Sequence, residues 1–316
     1  MPARLTMGAV NHTAPISLFT SRSTALRIVP VVLAVALGTV LAGRVPETGF
    51  LVLAVVVGFP HGAFDHKVGR RAFSASHGAG WWQPFLVGYL AFAGAMLLLW
   101  WAAPVLALPI FLLLSIFHFG DQDASGRTSH RIVPIVAHGA VPIIVSAACH
   151  PEAIERLLAA LVPGHGHMAA MLLGGPLMLV WIATVGVTLV AYAGRGQPED
   201  WTAGLDLLLV TLLFAVVPPL IAFSLYFAAI HAPRAFADTV PAGGLRAGEM
   251  LLPLILTVLG LALGIVIYVT GAGAPIGGNV VRSAFLLLSA LTMPHMWLEW
   301  RARVSSASTP AARSKV

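Results

Sequence analysis

Apolar runs of roughly 17–25 residues recur from Ala25 to Trp300, separated by short polar stretches that hold most of the charge. A run of this length crosses a bilayer as an α-helix, the element that satisfies every backbone N–H and C=O internally. Ten spans are expected, at about 25–43, 48–63, 84–103, 104–120, 131–149, 169–193, 204–217, 218–233, 249–270 and 280–299. The third and fourth touch at Ala103-Pro104, and the seventh and eighth at Pro218-Pro219, so each pair is expected to be a tight helical hairpin. Read as a re-entrant pair, the short seventh and eighth leave eight full crossings. Between His150 and His167, the segment PEAIERLL reads as an interfacial helix. The expected fold is all-α, a polytopic integral membrane helical bundle of about eight to ten transmembrane helices. It forms one domain over residues 25–303, with a polar tail at 1–24 and a second at 304–316, rich in small residues and expected to be disordered. No internal repeat is visible.

Composition agrees with this pattern. The chain is 58% hydrophobic and 9% charged, where a soluble domain carries about 25% charged residues. With the N-terminus inside, fifteen of the 18 Lys and Arg residues fall on one face, leaving only Arg44, Arg156 and Arg282 on the other. This asymmetry places both termini in the cytoplasm and the chain in the cell (inner) membrane. The net charge of +6 is spread between apolar runs rather than gathered in a stripe, which excludes nucleic acid as a partner. A single cysteine, Cys149, excludes an intramolecular disulfide and a cysteine-ligated iron–sulfur cluster. The first span, after Arg22 and Arg27, lacks a small-residue cleavage site followed by a soluble domain and is read as uncleaved.

The candidate chemistry lies at four span ends. In this topology the second, fourth, eighth and tenth spans run toward the cytoplasm, ending in GFPHGAFDHK, SIFHFGDQD, YFAAIHAPRA and TMPHMWLEW. Each carries a histidine at similar depth: His61, His118, His231 and His295. Four descending helices can aim four imidazoles at one point. Pro60 and Pro294 are expected to break the helix just before two of them. Taken alone, any one of these reads as a hydrogen-bonded interfacial group, as do His12, His77, His130, His150, His165 and His167; His138 reads as polar packing. Four on one side point to a metal site, because ionisable groups at membrane depth are costly and tend to be functional. All-histidine ligation suits iron(II), copper(II) or zinc. Asp65 and Asp121 are candidates to accept the second ring N–H of a ligand. Asp123 reads as loop solvation, and His66 is an alternative ligand to His61. Phe117, Phe119, Phe223, Tyr226, Phe227 and Trp297 form either an apolar tunnel or, for Trp297 above all, an interfacial aromatic belt. The Tyr226 hydroxyl is a candidate to orient substrate or oxygen.

The motifs PHGAFDH, SIFHFGDQD, YFAAIHAPR and MPHMW, in this order, resemble the Brp/Blh family of bacterial and archaeal β-carotene 15,15′-dioxygenases. The resemblance runs from about Gly58 to Trp297 and is sharp in these four motifs. It implies a membrane enzyme that splits β-carotene with O2 and non-haem Fe(2+) into two retinal molecules, with a functional link to a retinal-binding rhodopsin. It also implies that His61, His118 and His231 are iron ligands. The family often reads HxxRH where this chain has His231-Ala232-Pro233-Arg234-Ala235, so a second histidine there is missing. Either His295 completes the set or the site is altered. Other readings remain open: cleavage of another carotenoid or lipid, a histidine-lined metal-ion transporter, or a non-catalytic accessory protein of a retinal pathway. A transporter usually shows paired halves, and no repeat is present.

Overall fold

In the computed structural model, residues 22–124, 131–239, 249–271 and 276–308 are described, with the His61 side chain outside that set. Both expected tails lie mostly outside it too; the C-terminal helix, however, continues through Ser308. The described residues form fifteen α-helices and no strand. They are α1 (Arg22–Leu41), α2 (Glu47–Gly58), α3 (Asp65–His77), α4 (Trp82–Ala102), α5 (Pro104–Asp123), α6 (Ile132–Gly139), α7 (Val141–Cys149) and α8 (Pro151–Leu161). Then follow α9 (Gly166–Gly174), α10 (Pro176–Arg195), α11 (Pro198–Val216), α12 (Pro219–Leu225), α13 (Ala232–Thr239), α14 (Leu251–Thr270) and α15 (Ile276–Ser308).

Among the described residues, seven helical segments are long and apolar enough to cross a membrane, and the α6–α7 pair, bent by 46°, adds an eighth. Two of the ten expected spans fall outside this count for a physical reason. α11 carries Glu199, Asp200 and Asp206, and α15 buries Asn279, Ser283 and Ser289. α15 lies among other helices, and α11 turns Asp200 and Asp206 inward while Leu208, Leu212 and Val216 face outward, so neighbouring helices receive these polar groups in place of lipid. α15 is the hub of one half, packing against α2, α3, α4, α5, α8 and α14. Pro294 does not interrupt it, in contrast to the break expected there. At Pro60 the break is real: α2 gives way to a 3-10 turn over Phe59–Phe64 before α3 begins.

The segment expected at the interface is α8, and it is a wall of the bundle. Its Ile154, Leu158 and Leu161 are buried, and it packs against α7, α9 and α15. On the other side, α5 and α6 cross with their backbones nearly touching. A Cβ added to Gly120 would lie 2.0 Å from the Ile135 carbonyl oxygen, and one on Gly139 would lie 1.8 Å from that of Ile116. Only glycine permits this approach, the small-residue packing by which membrane helices gain van der Waals contact. His118 lies on α5 directly between Ile116 and Gly120, so this crossing fixes its position.

Candidate metal centre

α5, α15 and the end of α12 bring three histidines together. His231 closes a π-helical turn over Tyr226–His231, in which the i→i+5 bond adds a residue per turn and re-aims the side chain inward. The His118 and His231 Nε2 atoms lie 3.0 Å apart, with ring centroids 4.8 Å apart. The His295 ring centroid is 5.1 Å from that of His118, nearly perpendicular to it. His231 is fully buried, wedged between the rings of Phe119 and Phe227.

Carboxylates surround His295. Its Nδ1 lies 2.6 Å from Asp65 Oδ1, and its Nε2 lies 3.4 Å from Glu299 Oε1, one helical turn further along α15. Asp65 is itself buried at the start of α3, and the Tyr89 hydroxyl of α4 donates to its other oxygen at 3.1 Å. Carboxylate oxygens on both edges of this imidazole make a setting that suits positive charge, such as that of a metal ion.

No three His, Cys, Asp or Glu side chains among the described residues stand as a closed ligand set. The arrangement nonetheless has the chemistry of one. Two nitrogens each about 2.0–2.1 Å from one first-row metal are roughly 3 Å apart, the spacing of the His118 and His231 nitrogens. Imidazole with carboxylate behind it is a donor set that suits iron(II). The residues present therefore fit a metal at this point.

Of the remaining expected site residues, the His61 side chain lies outside the described set, and His66, Asp121 and Asp123 stand apart from the three histidines. His61 sits in the 3-10 turn, two residues from the wall residue Ala63. His66 turns its Nδ1 to the Ala63 carbonyl oxygen at 2.9 Å. Asp121 meets no histidine in any described contact; Arg131 and Arg303 hold it. Partial burial works to lower the Arg303 pKa, but the Asp121 bond prevails and raises it. Asp123 is not loop solvation but buried. It accepts the Tyr226 hydroxyl at 2.6 Å and Arg234 at 2.7 Å. Arg234 in turn grips both oxygens of Asp206, at 2.7 and 3.0 Å, and Arg27 completes a balanced group of two cations and two anions. Tyr226 therefore points away from the cavity, contrary to the role expected of its hydroxyl. Arg234 is one turn beyond His231, so the cluster anchors the segment that presents this histidine.

An elongated cavity of about 370 Å³ ends at the histidines. Its polar wall, including Asp65, Tyr89, His118 and His295, is gathered at that end, and the rest is aliphatic or aromatic. Phe119, Phe223 and Phe227 line it. Phe117, Tyr226 and Trp297 do not; Trp297 packs against Phe73 and Phe92. Tyr89, Glu299, Asp206 and Arg234 belong to no expected site set, although two had a local signal. Glu299 follows His295 at i+4, and Asp206 interrupts an apolar run.

The family model described as β-carotene 15,15′-dioxygenase matches residues 52–300. A protein of Halobacterium salinarum named probable β-carotene 15,15′-dioxygenase Blh is 28% identical, over 79% of this chain and 83% of its own. One from an uncultured marine bacterium, named β-carotene 15,15′-dioxygenase, is 29% identical, over 78% of this chain and 90% of its own. No solved structure matches the chain.

Proposed function

Since the chain belongs to the β-carotene 15,15′-dioxygenase family, we propose that it cleaves β-carotene at the central double bond with O2, giving two molecules of all-trans-retinal. The single observation that carries this reading to the residues is the meeting of three histidines, two of which, His118 and His295, line the polar end of an otherwise apolar cavity. A hydrocarbon polyene needs an apolar chamber and a reactive centre at one point along it. The cavity volume lies within the usual range of ligand pockets, about 300–1,000 Å³.

His118, His231 and His295 are the residues that would hold iron(II), with His61 the fourth candidate. When bound, the iron supplies the site at which O2 is activated. The chain does the rest. Asp65 accepts the Nδ1–H of His295 and so fixes its tautomer and orientation; Tyr89 holds Asp65 in place. Phe119 and Phe227 clamp the His231 ring and exclude water from its face. Phe223, Phe285 and the leucines of the cavity hold the polyene straight, so that one bond is presented to the histidine end. The two oxygen atoms of O2 become the two aldehyde oxygens, which balances the reaction with no external reductant. The apolar retinal returns to the bilayer, where a rhodopsin that binds retinal is a natural consumer. The asymmetry of basic residues supports a cell-membrane location with both termini in the cytoplasm.

The test is pigment chromatography from a carotene-accumulating bacterial host expressing the chain or its His118→Ala variant. The expected result is loss of β-carotene and appearance of retinal with the intact chain alone. Persistence of carotene with both, at matched membrane expression, would overturn the reading.

A further inference from the structure

All but three of the described residues that line the cavity are shielded. The exceptions are Leu86 at 44% exposure, Leu90 at 62% and Leu259 at 61%. They belong to α4 and α14, two helices that each pack along α15 without packing extensively on one another. Residues that both line a cavity and face outward mark its mouth. On a membrane helix an outward-facing leucine meets lipid rather than water.

The level of this mouth is informative. Leu90 follows Tyr89, which reaches His295 through Asp65. Leu259 precedes Gly260, where a Cβ would lie 2.3 Å from the Phe59 ring, at the start of the turn that carries His61. The mouth therefore opens at the histidines and not at the far end of the chamber. From there the cavity extends mainly one way. It follows α5 back to Phe111 and α15 back to Phe285, seven and ten residues, or about 10 and 15 Å at 1.5 Å per residue. Ile154 and Leu158 of α8 close that end. Symmetric cleavage requires equal lengths of polyene on both sides of the reacting bond, and the chamber receives only one of them.

We propose that the opening between α4 and α14, framed by Leu86, Leu90 and Leu259, is a lateral portal through which a long apolar polyene passes from the bilayer, its leading half filling the cavity and its trailing half remaining between these helices. This rests on the carotenoid reading above. The portal faces the hydrocarbon region, so the substrate never crosses water, and α8 acts as the stop that sets which bond reaches the histidines.

Two measurements test it. In the first, p-benzoylphenylalanine is placed at position 90, 259 or 98 of the full-length, chelator-stripped protein in lipid vesicles with limiting β-carotene, and irradiated. Leu98 is lipid-exposed on α4 but does not line the cavity. Carotenoid adducts several-fold richer at 90 and 259 than at 98 are expected, and equal labelling at all three would overturn the portal. This readout needs no turnover, so it separates failure of the portal from failure of the cleavage reading. In the second, Leu90→Trp with Leu259→Trp is expected to lower kcat/KM for β-carotene about tenfold, mostly through KM, while Leu98→Trp does not. Unchanged kcat/KM in the double variant would also overturn it.

Discussion

His118 and His231 hold their Nε2 atoms 3.0 Å apart although 113 residues separate them in sequence. The glycine crossing of α5 with α6 sets one of them and a π turn sets the other. Removing either imidazole leaves one member of this pair with His295 to hold a metal. His118→Ala and His231→Ala are each expected to lower the iron content of purified protein to below about a tenth of the intact chain's, since even altered outer partners cost 10–100-fold in metal affinity. Elemental analysis after gel filtration measures this. Full iron occupancy in either variant would place the metal elsewhere.

Asp65 acts on the same centre from behind. Asp65→Asn keeps the shape but removes the charge that orients His295, and a loss of about 10–100-fold in metal affinity is expected. Tyr89→Phe removes one hydrogen bond to Asp65 and should give a smaller loss, about 0.5–1.5 kcal/mol. Competition with a chromophoric chelator ranks the two; an Asp65→Asn affinity equal to that of the intact chain would detach Asp65 from the site.

Arg234 is the keystone of the buried ion group. Arg234→Ala leaves Asp123 and Asp206 facing each other with Arg27 alone, and breaking a buried pair in this way costs about 3–5 kcal/mol. The expected outcome is a sharply lower thermal midpoint in detergent, with partial recovery when Asp206→Asn is added. An unchanged midpoint would show the cluster to be energetically idle.

Gly139→Ala tests the helix crossing. The new methyl would meet the Ile116 carbonyl at 1.8 Å, so α5 and α6 must part. Overpacking of this kind costs about 1–3 kcal/mol, and activity should fall with stability because His118 moves with α5. Gly94→Ala on α4, where a Cβ meets nothing, is the control.

The spans were legible in the sequence because lipid imposes length and apolarity on any helix it surrounds. α11 and α15 carry polar side chains on the faces they turn to other helices, which dilutes the apolar signal of both spans. The approach of His118, His231 and His295 was legible through their shared depth, a property of topology. Their partners were not. Asp123 looks like a loop residue until α1, α11 and α13 arrive to bury it, and Tyr89 reaches Asp65 across 24 residues and a change of direction. Such contacts depend on how helices rotate about their axes, which hydropathy does not encode. The same blindness made α8 look interfacial: its amphipathic stripe faces helices and a cavity.

The ion group also bears on how the protein is made. Arg27 belongs to α1, the first of the described helices, and its backbone carbonyl accepts from Arg234, 207 residues later. At about 5–20 residues per second, ribosomes need roughly 10–40 s to bridge that gap. Until Asp206 has followed, α1 carries this cation without its anionic partner, which its long side chain relieves by reaching toward the bilayer surface. Closure of the bundle around the histidines is therefore a late event. A nascent chain stopped before residue 234 holds Arg27, Asp123 and Asp206 but lacks the side chain that ties the two carboxylates together.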